Sequence, residues 1–168
     1  RSIQANDDDF RAPPINGGTG GTTPSVLLND TLNGGSVSAT GAGANVSLTQ
    51  VSTTNPNVTL NANGTITVAA GTPAGEYQVQ YQICDLINGV NNCATAIATV
   101  TVAAPPIVAN PDSATGINGL TGATNVVNVL DNDRLTGNPV SVGAGGNVTI
   151  AAVVPATPIG GGPVPVLS

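Results

Sequence analysis

The side chains of this chain that could do chemistry are few. Its 168 residues include two cysteines, nine acids and three basic residues, all of them arginine, and no His, Trp or Met. Covalent catalysis needs a nucleophile with an adjacent base. Without histidine, and with Cys84 and Cys93 facing each other across a hairpin, only serine and aspartate remain for that work. No pair among the scattered acids stands out for proton transfer either, and most fall at turns, so the sequence reads as non-enzymatic. The densest charge cluster is Asp7-Asp8-Asp9. Hard cations such as Ca2+ gather about six to eight oxygens, so these acids are a candidate cation site; the alternative is solvated turn residues, which Asn-Asp pairs favour.

The cysteines belong to the most regular stretch, Ala74 to Ala103. From Tyr77 the apolar residues Tyr77, Val79, Tyr81 and Ile83 alternate with Glu76, Gln78, Gln80 and Gln82, the pattern of a strand with one buried face. The return strand sets Ala96, Ala98, Val100 and Val102 against Thr95, Thr99 and Thr101, with Ile97 as an apolar exception on the outer face. Cys84 shares the glutamine parity and Cys93 the threonine parity. The two thiols therefore face outward on opposite strands, which predicts a cross-strand disulfide worth about 2–3 kcal/mol in the loop-entropy picture. Paired cysteines indicate an oxidising compartment. Tyr77, opening its strand, suits either a tyrosine-corner contact or the core.

Composition sets the remaining bounds. Charged residues are 7% of the chain and the net charge is −6, against the clustered basic surface that nucleic acid or anionic membrane requires. No apolar run approaches the ~20 residues of a membrane span. Gly, Pro, Asn and Thr are scattered throughout, no helical period persists, and the fold class expected is all-β with a thin aliphatic core.

An internal repeat organises the chain. Ala5-Asn6-Asp7-Asp8 matches Ala109-Asn110-Pro111-Asp112. Val26-Leu27-Leu28-Asn29-Asp30-Thr31-Leu32-Asn33-Gly34 matches Val129-Leu130-Asp131-Asn132-Asp133-Arg134-Leu135-Thr136-Gly137, and Asn45-Val46-Ser47-Leu48 matches Asn147-Val148-Thr149-Ile150. In the first copy strands are expected near 25–28, 36–40, 45–51, 57–61, 65–69, 76–84 and 93–102, with a type I′ turn at Asn63-Gly64 and Asx-type turns at Asp30 and Asp133. Short strands at this spacing predict an immunoglobulin-like sandwich, with one module over residues 1–104 and the N-terminal part of a second over 105–168. Ala103-Ala104-Pro105-Pro106 reads as a stiff linker giving an extended tandem array. The second copy has no counterpart of the cysteine hairpin, and half a sandwich would expose sheet edges. The expectation is that the chain continues past Ser168 or that another molecule supplies the missing strands.

The pattern A-N-x-D, V-L-x-N-D-x-L-x-G, G-T-P-A-G-E-Y-Q-V-Q-Y-Q-I-C-D and N-C-A-T-A resembles repeats of very large surface adhesins of Bacteroidetes, including the mobile adhesins of gliding bacteria. Its V-L-x-N-D core is shared with other bacterial Ig-like, cadherin-like and fibril-type repeats. The resemblance implies an extracellular location at the bacterial cell surface and a stalk of repeated modules that carries adhesive contacts outward, serving attachment or gliding. Its partners would be neighbouring repeats of the same protein and a surface glycan or substratum. The cadherin-like relatives imply Ca2+ at module junctions, here Asp7, Asp8 and Asp9 with Asp85, and Asp112 at the second junction. Bacteroidetes O-glycosylation of Asp-Ser/Thr-aliphatic sequences implies Thr31 and Ser113 as glycan sites. The alternative function is a self-assembling fibre subunit whose second module is completed by strand addition from a neighbour.

Overall fold

The computed structural model describes residues 1–153, 156 and 166. The chain divides into two compact units, Arg1–Pro105 and Pro106–Ser168, and both are built from strands with no α-helix among the described residues.

Unit 1 forms around the long hairpin of β9 (Gly75–Asp85) and β10 (Cys93–Ala103), paired without interruption from Cys84 opposite Cys93 to Gly75 opposite Val102. The alternation read from the sequence holds. Val79, Tyr81, Ile83, Ala98 and Val100 are fully buried, while Ile97 stays partly exposed on the other face. Ala96 lies opposite Tyr81 and Ala98 opposite Val79, so small residues on one strand make room for large ones on the other. Tyr77 donates its hydroxyl to the Pro73 carbonyl at 2.7 Å, the corner contact.

Two strands extend the hairpin into a four-stranded sheet. β6 (Val46–Thr53) joins β9 antiparallel, and β2 (Asp8–Asn16) joins β10 parallel, giving the order β2-β10-β9-β6. The β2 ladder jumps from Phe10 opposite Val100 to Ile15 opposite Val102. Arg11-Ala12-Pro13-Pro14 bulges out between them. Sequence periodicity misses this strand because the bulge breaks the alternation, and the prolines are tolerated because β2 is an edge.

Against this sheet lie two smaller ones: β3 (Gly21–Thr22), β8 (Ile66–Val68) and β7 (Val58–Leu60) in the order β3-β8-β7, and β1 (Ile3–Gln4), β4 (Thr31–Leu32) and β5 (Gly35–Ser36) in the order β1-β4-β5. The core between them is aliphatic apart from Tyr81. Three local expectations need correction. Residues 25–28 are not a strand: Val26–Asn29 is a 3-10 turn capped by Ser25, whose Oγ accepts the Leu27 N–H. Val26 and Leu27 are both buried, and a strand would have sent such neighbours to opposite faces. The strand expected over 36–40 ends at Ser36, where Asn45 replaces the ladder by donating to the Ser36 carbonyl and accepting the Ser38 N–H. The type I′ turn is at Asn33-Gly34, with φ of 51° and 77°, rather than at Asn63-Gly64. There only Gly64 has positive φ, and a Cβ on it would meet Ser25 Oγ at 2.3 Å. The Gly64 N–H donates to Asn61, so that hairpin closes as a type I turn with a left-handed glycine.

Unit 2 repeats one of these sheets. β11 (Ile107–Val108), β12 (Arg134–Leu135) and β13 (Asn138–Pro139) pair in the order β11-β12-β13, as β1, β4 and β5 do. The type I′ turn recurs at Thr136-Gly137, with φ of 52° and 76°.

Cys84 and Cys93 form the expected disulfide across a directly opposed pair. A Cys84→Ser, Cys93→Ser double variant is expected to keep its far-UV spectrum and lose about 2–3 kcal/mol in urea titration; unchanged stability would show that the bridge contributes nothing.

Candidate functional site: a tyrosine between two aspartates

The polar residues of the repeat motif meet inside unit 1. The Asn6 N–H donates to Asp30 Oδ1 at 2.8 Å, the Asn6 amide to the Asn29 carbonyl at 2.6 Å, and the Asn29 amide to the Asp7 carbonyl at 3.0 Å. These bonds clasp the segment leading into β2 onto the end of the 3-10 turn. Strand alternation on β2 turns Asp8 inward and Asp9 outward. From β9, Tyr81 reaches in from the opposite side, its Oη 2.9 Å from Asp30 Oδ2, 3.2 Å from Asp8 Oδ2 and 3.1 Å from the Asn6 carbonyl. Tyr81 is fully buried, with Asp30 2% exposed and Asp8 9%.

Proton counting defines the state of this cluster. A tyrosine hydroxyl has one proton to give, and it faces two carboxyls. Burial pushes Asp8 up to about 7, with the nearby Asp30 charge adding to the shift, and burial also raises Asp30. Burial and the two aspartates push the Tyr81 phenol well above its ordinary range. Once Asp8 is protonated, below about pH 7, the consistent arrangement has Tyr81 donating to Asp30 while Asp8 donates to Tyr81. Groups this buried satisfy one another, and the cluster works as a clasp between the segments that carry them.

The other predicted site residues have separate partners. Asp7 Oδ1 accepts the Ile97 N–H at 2.8 Å. Asp9 is exposed and paired with Arg11, whose guanidinium lowers it to about 2. Asp85 has the buried parity of β9 and is not brought to Asp7–Asp9. Its Oδ2 takes the Arg1 Nε at 2.7 Å, Oδ1 takes the Ile87 N–H, and Asn92 adds a further bond. Arg1 holds the Asp85 carboxyl well below its usual range. The loop before the last strand lies at the chain's entering end, but residue 1 meets it there, and Asp8 sits opposite Ala98, well along the sheet. Asp112 is exposed in unit 2, and no three His, Cys, Asp or Glu side chains converge as a metal site among the described residues. Thr31 is half-buried between Gln4 and Ser36 in β4, whereas Ser113 is exposed. Asp30 follows a 3-10 turn and Asp133 an ordinary hydrogen-bonded turn; each accepts a backbone N–H from a segment more than twenty residues away, not in an Asx turn.

Unit 2 carries the same clasp. The Asn110 N–H donates to Asp133 Oδ1 at 2.7 Å, the Asn110 amide to the Asn132 carbonyl at 2.6 Å, and the Asn132 amide to the Pro111 carbonyl at 3.0 Å. The sequence marks Asn6, Asn29 and Asp30 as parts of the repeat but points Asp30 to an Asx turn and Asn6 and Asn29 to no partner. The signal was available: buried-type hydrophobes flank polar residues that recur at fixed places in a chain otherwise poor in charge. The bonds from Tyr81 and Arg1 join partners distant in sequence and carried no such signal. No protein-family model matches the chain, and no curated protein or solved structure matches it significantly.

The clasp gives stability a definite pH dependence. Asp8 and Asp30 bind protons more tightly folded than unfolded, so folding takes up protons, by Asp8 between about pH 4 and pH 7, and stability falls as pH rises through that window, by at most about 1.4 kcal/mol per pH unit for each proton. Asp85 acts oppositely, its contribution being lost as pH falls below about 4. Urea titrations at several pH values should show the decline from pH 4.5 to 7.5, and Asp8→Asn should flatten it. A slope that survives Asp8→Asn unchanged would remove Asp8 from the account. Tyr81→Phe is expected to cost about 1–3 kcal/mol, the cost of stranding buried acceptors.

Proposed function

We propose that this chain is a segment of an extracellular stalk built from immunoglobulin-like modules, of the kind found in large surface adhesins of Bacteroidetes, and that it bears load rather than catalyses a reaction. The observation that carries this reading is the parallel pairing of β2 with β10. The first and last long strands of unit 1 run the same way, so the chain enters the module at one end and leaves at the other, roughly 35 Å away at about 3.3 Å per residue along β10. Tension applied along the chain loads the hydrogen bonds between these strands in shear, all together. The covalent Cys84–Cys93 bridge at the entering end suits an oxidising exterior, and the Pro105-Pro106 linker suits transmission of force without slack. The motif resemblance supplies the adhesin class and the cell-surface location.

Single-molecule pulling tests this reading. Unit 1 stretched between attachment points at residues 7 and 103 should resist much higher force than when stretched between residues 16 and 103, a geometry that peels the same strand pair from one end. Reduction of the disulfide should lengthen the unfolded chain by roughly 30 Å, from the residues the bridge hides. Equal forces in the two geometries would remove the mechanical argument. An antibody to unit 1 that failed to label intact source cells would remove the surface location.

A further inference from the structure

Unit 2 has the acceptor half of unit 1's central contact without the donor. Its clasp matches that of unit 1 bond for bond, and so does the loop that follows: Asn147 accepts the Ser141 N–H and donates to the Pro139 carbonyl, as Asn45 does for Ser38 and Ser36. Yet Asn45-Val46-Ser47-Leu48 runs into β6, whereas Asn147-Val148-Thr149-Ile150 forms no strand. The sequences are equivalent, so the difference is the missing partner: β6 exists through its ladder to β9. The apolar positions agree. Val26, Leu27 and Val46 are buried in unit 1, while Val129, Leu130 and Val148 are only half-buried and Ile107 and Ile150 are 65% and 41% exposed. The chain holds two tyrosines, Tyr77 and Tyr81, each bonded within unit 1.

We propose that unit 2 is a docking site for a β-hairpin of the β9–β10 kind: a strand with aliphatic residues two positions either side of a tyrosine, backed by a strand with small residues opposite them, its tyrosine hydroxyl donating to Asp133. The first strand pairs with residues 147–150 and makes them a strand; the second brings small apolar residues onto the half-buried face. A second copy of this chain is a poor donor, since its own Tyr81 is already held by Asp30 and leaving would open unit 1. The site is read from internal correspondence between the two units, and holds whether or not the chain belongs to a stalk.

Trypsin offers a clean test, because the chain's three basic residues are Arg1, Arg11 and Arg134 and Arg134 lies in β12. The full chain is compared with the same chain carrying a second copy of residues 75–103 joined after Ser168 by a flexible linker. Cleavage after Arg134 is expected to slow by about tenfold or more in the extended chain, tracking the loss of the open form, with cleavage after Arg11 as an unchanged internal reference. Tyr81→Phe made in the added hairpin alone, or Asp133→Ala in unit 2, should abolish most of that protection. Equal cleavage of Arg134 with and without the added hairpin overturns the proposal. Undiminished protection with both substitutions overturns the hydroxyl–Asp133 contact that defines the partner. A parent chain that elutes as a dimer with Arg134 already resistant would show a second copy in the site and overturn it as well.

Discussion

The hydroxyl of Tyr81 is the point on which unit 1 depends. It is a polar group within an otherwise aliphatic core, and it joins three segments that are distant in sequence. Asp30 brings the end of the 3-10 turn, the Asn6 carbonyl and Asp8 bring the N-terminal segment, and Tyr81 brings the central hairpin. A thin core of valines and alanines is non-directional, since burial rewards area and not arrangement. A buried polar group must instead find its partners or cost free energy, and so it fixes one arrangement among many that would bury similar area. Asn6 and Asn29 hold Asp30 and the entering chain in the place where the tyrosine meets them.

Organisation around that contact explains why the two units differ. Each contact internal to the clasp and its short sheet is local to the repeated segment and forms in both. Every element that requires the long hairpin, namely β2 against β10 and β6 against β9, occurs in unit 1 and has no counterpart among the described residues of unit 2. The division falls between contacts that a segment makes with itself and ladders that need a second strand. The same hairpin gives unit 1 its direction, because β2 can lie parallel to β10 only if the chain crosses the module from one end to the other.

Much of this was legible in the residues. The alternation over Tyr77–Ile83 and over Ala96–Val102 placed the hairpin, its buried face and the opposed cysteines, because a period of two leaves little freedom once one face is buried. The repeat was visible for the same reason that it is structural: Asn6, Asn29 and Asp30 are the residues that make the clasp. What escaped were features set by distant partners. Asp85, expected beside Asp7–Asp9 as a cation ligand, carries the buried parity of Ile83 and is neutralised by Arg1. Asp7-Asp8-Asp9 read as a single cluster, either a cation site or solvated turn residues, yet alternation along an edge strand sends its members to different faces, and proline hid that strand. The Asn63-Gly64 turn differs from the type expected because Gly64 also packs against Ser25, far away in sequence, and does not answer to its own hairpin alone.

Hydrogen exchange at two backbone amides tests the central claim most directly. The N–H groups of Asn6 and Asn110 occupy the same place in two equivalent clasps, accepted by Asp30 and Asp133, and only the first is backed by a tyrosine. If the Tyr81 contact holds the module together, Asn6 should exchange only through global unfolding, should lose most of its protection in Tyr81→Phe, and should exchange orders of magnitude more slowly than Asn110. Similar protection at both amides, unaffected by Tyr81→Phe, would show that the clasp is stable by itself and contradict the account.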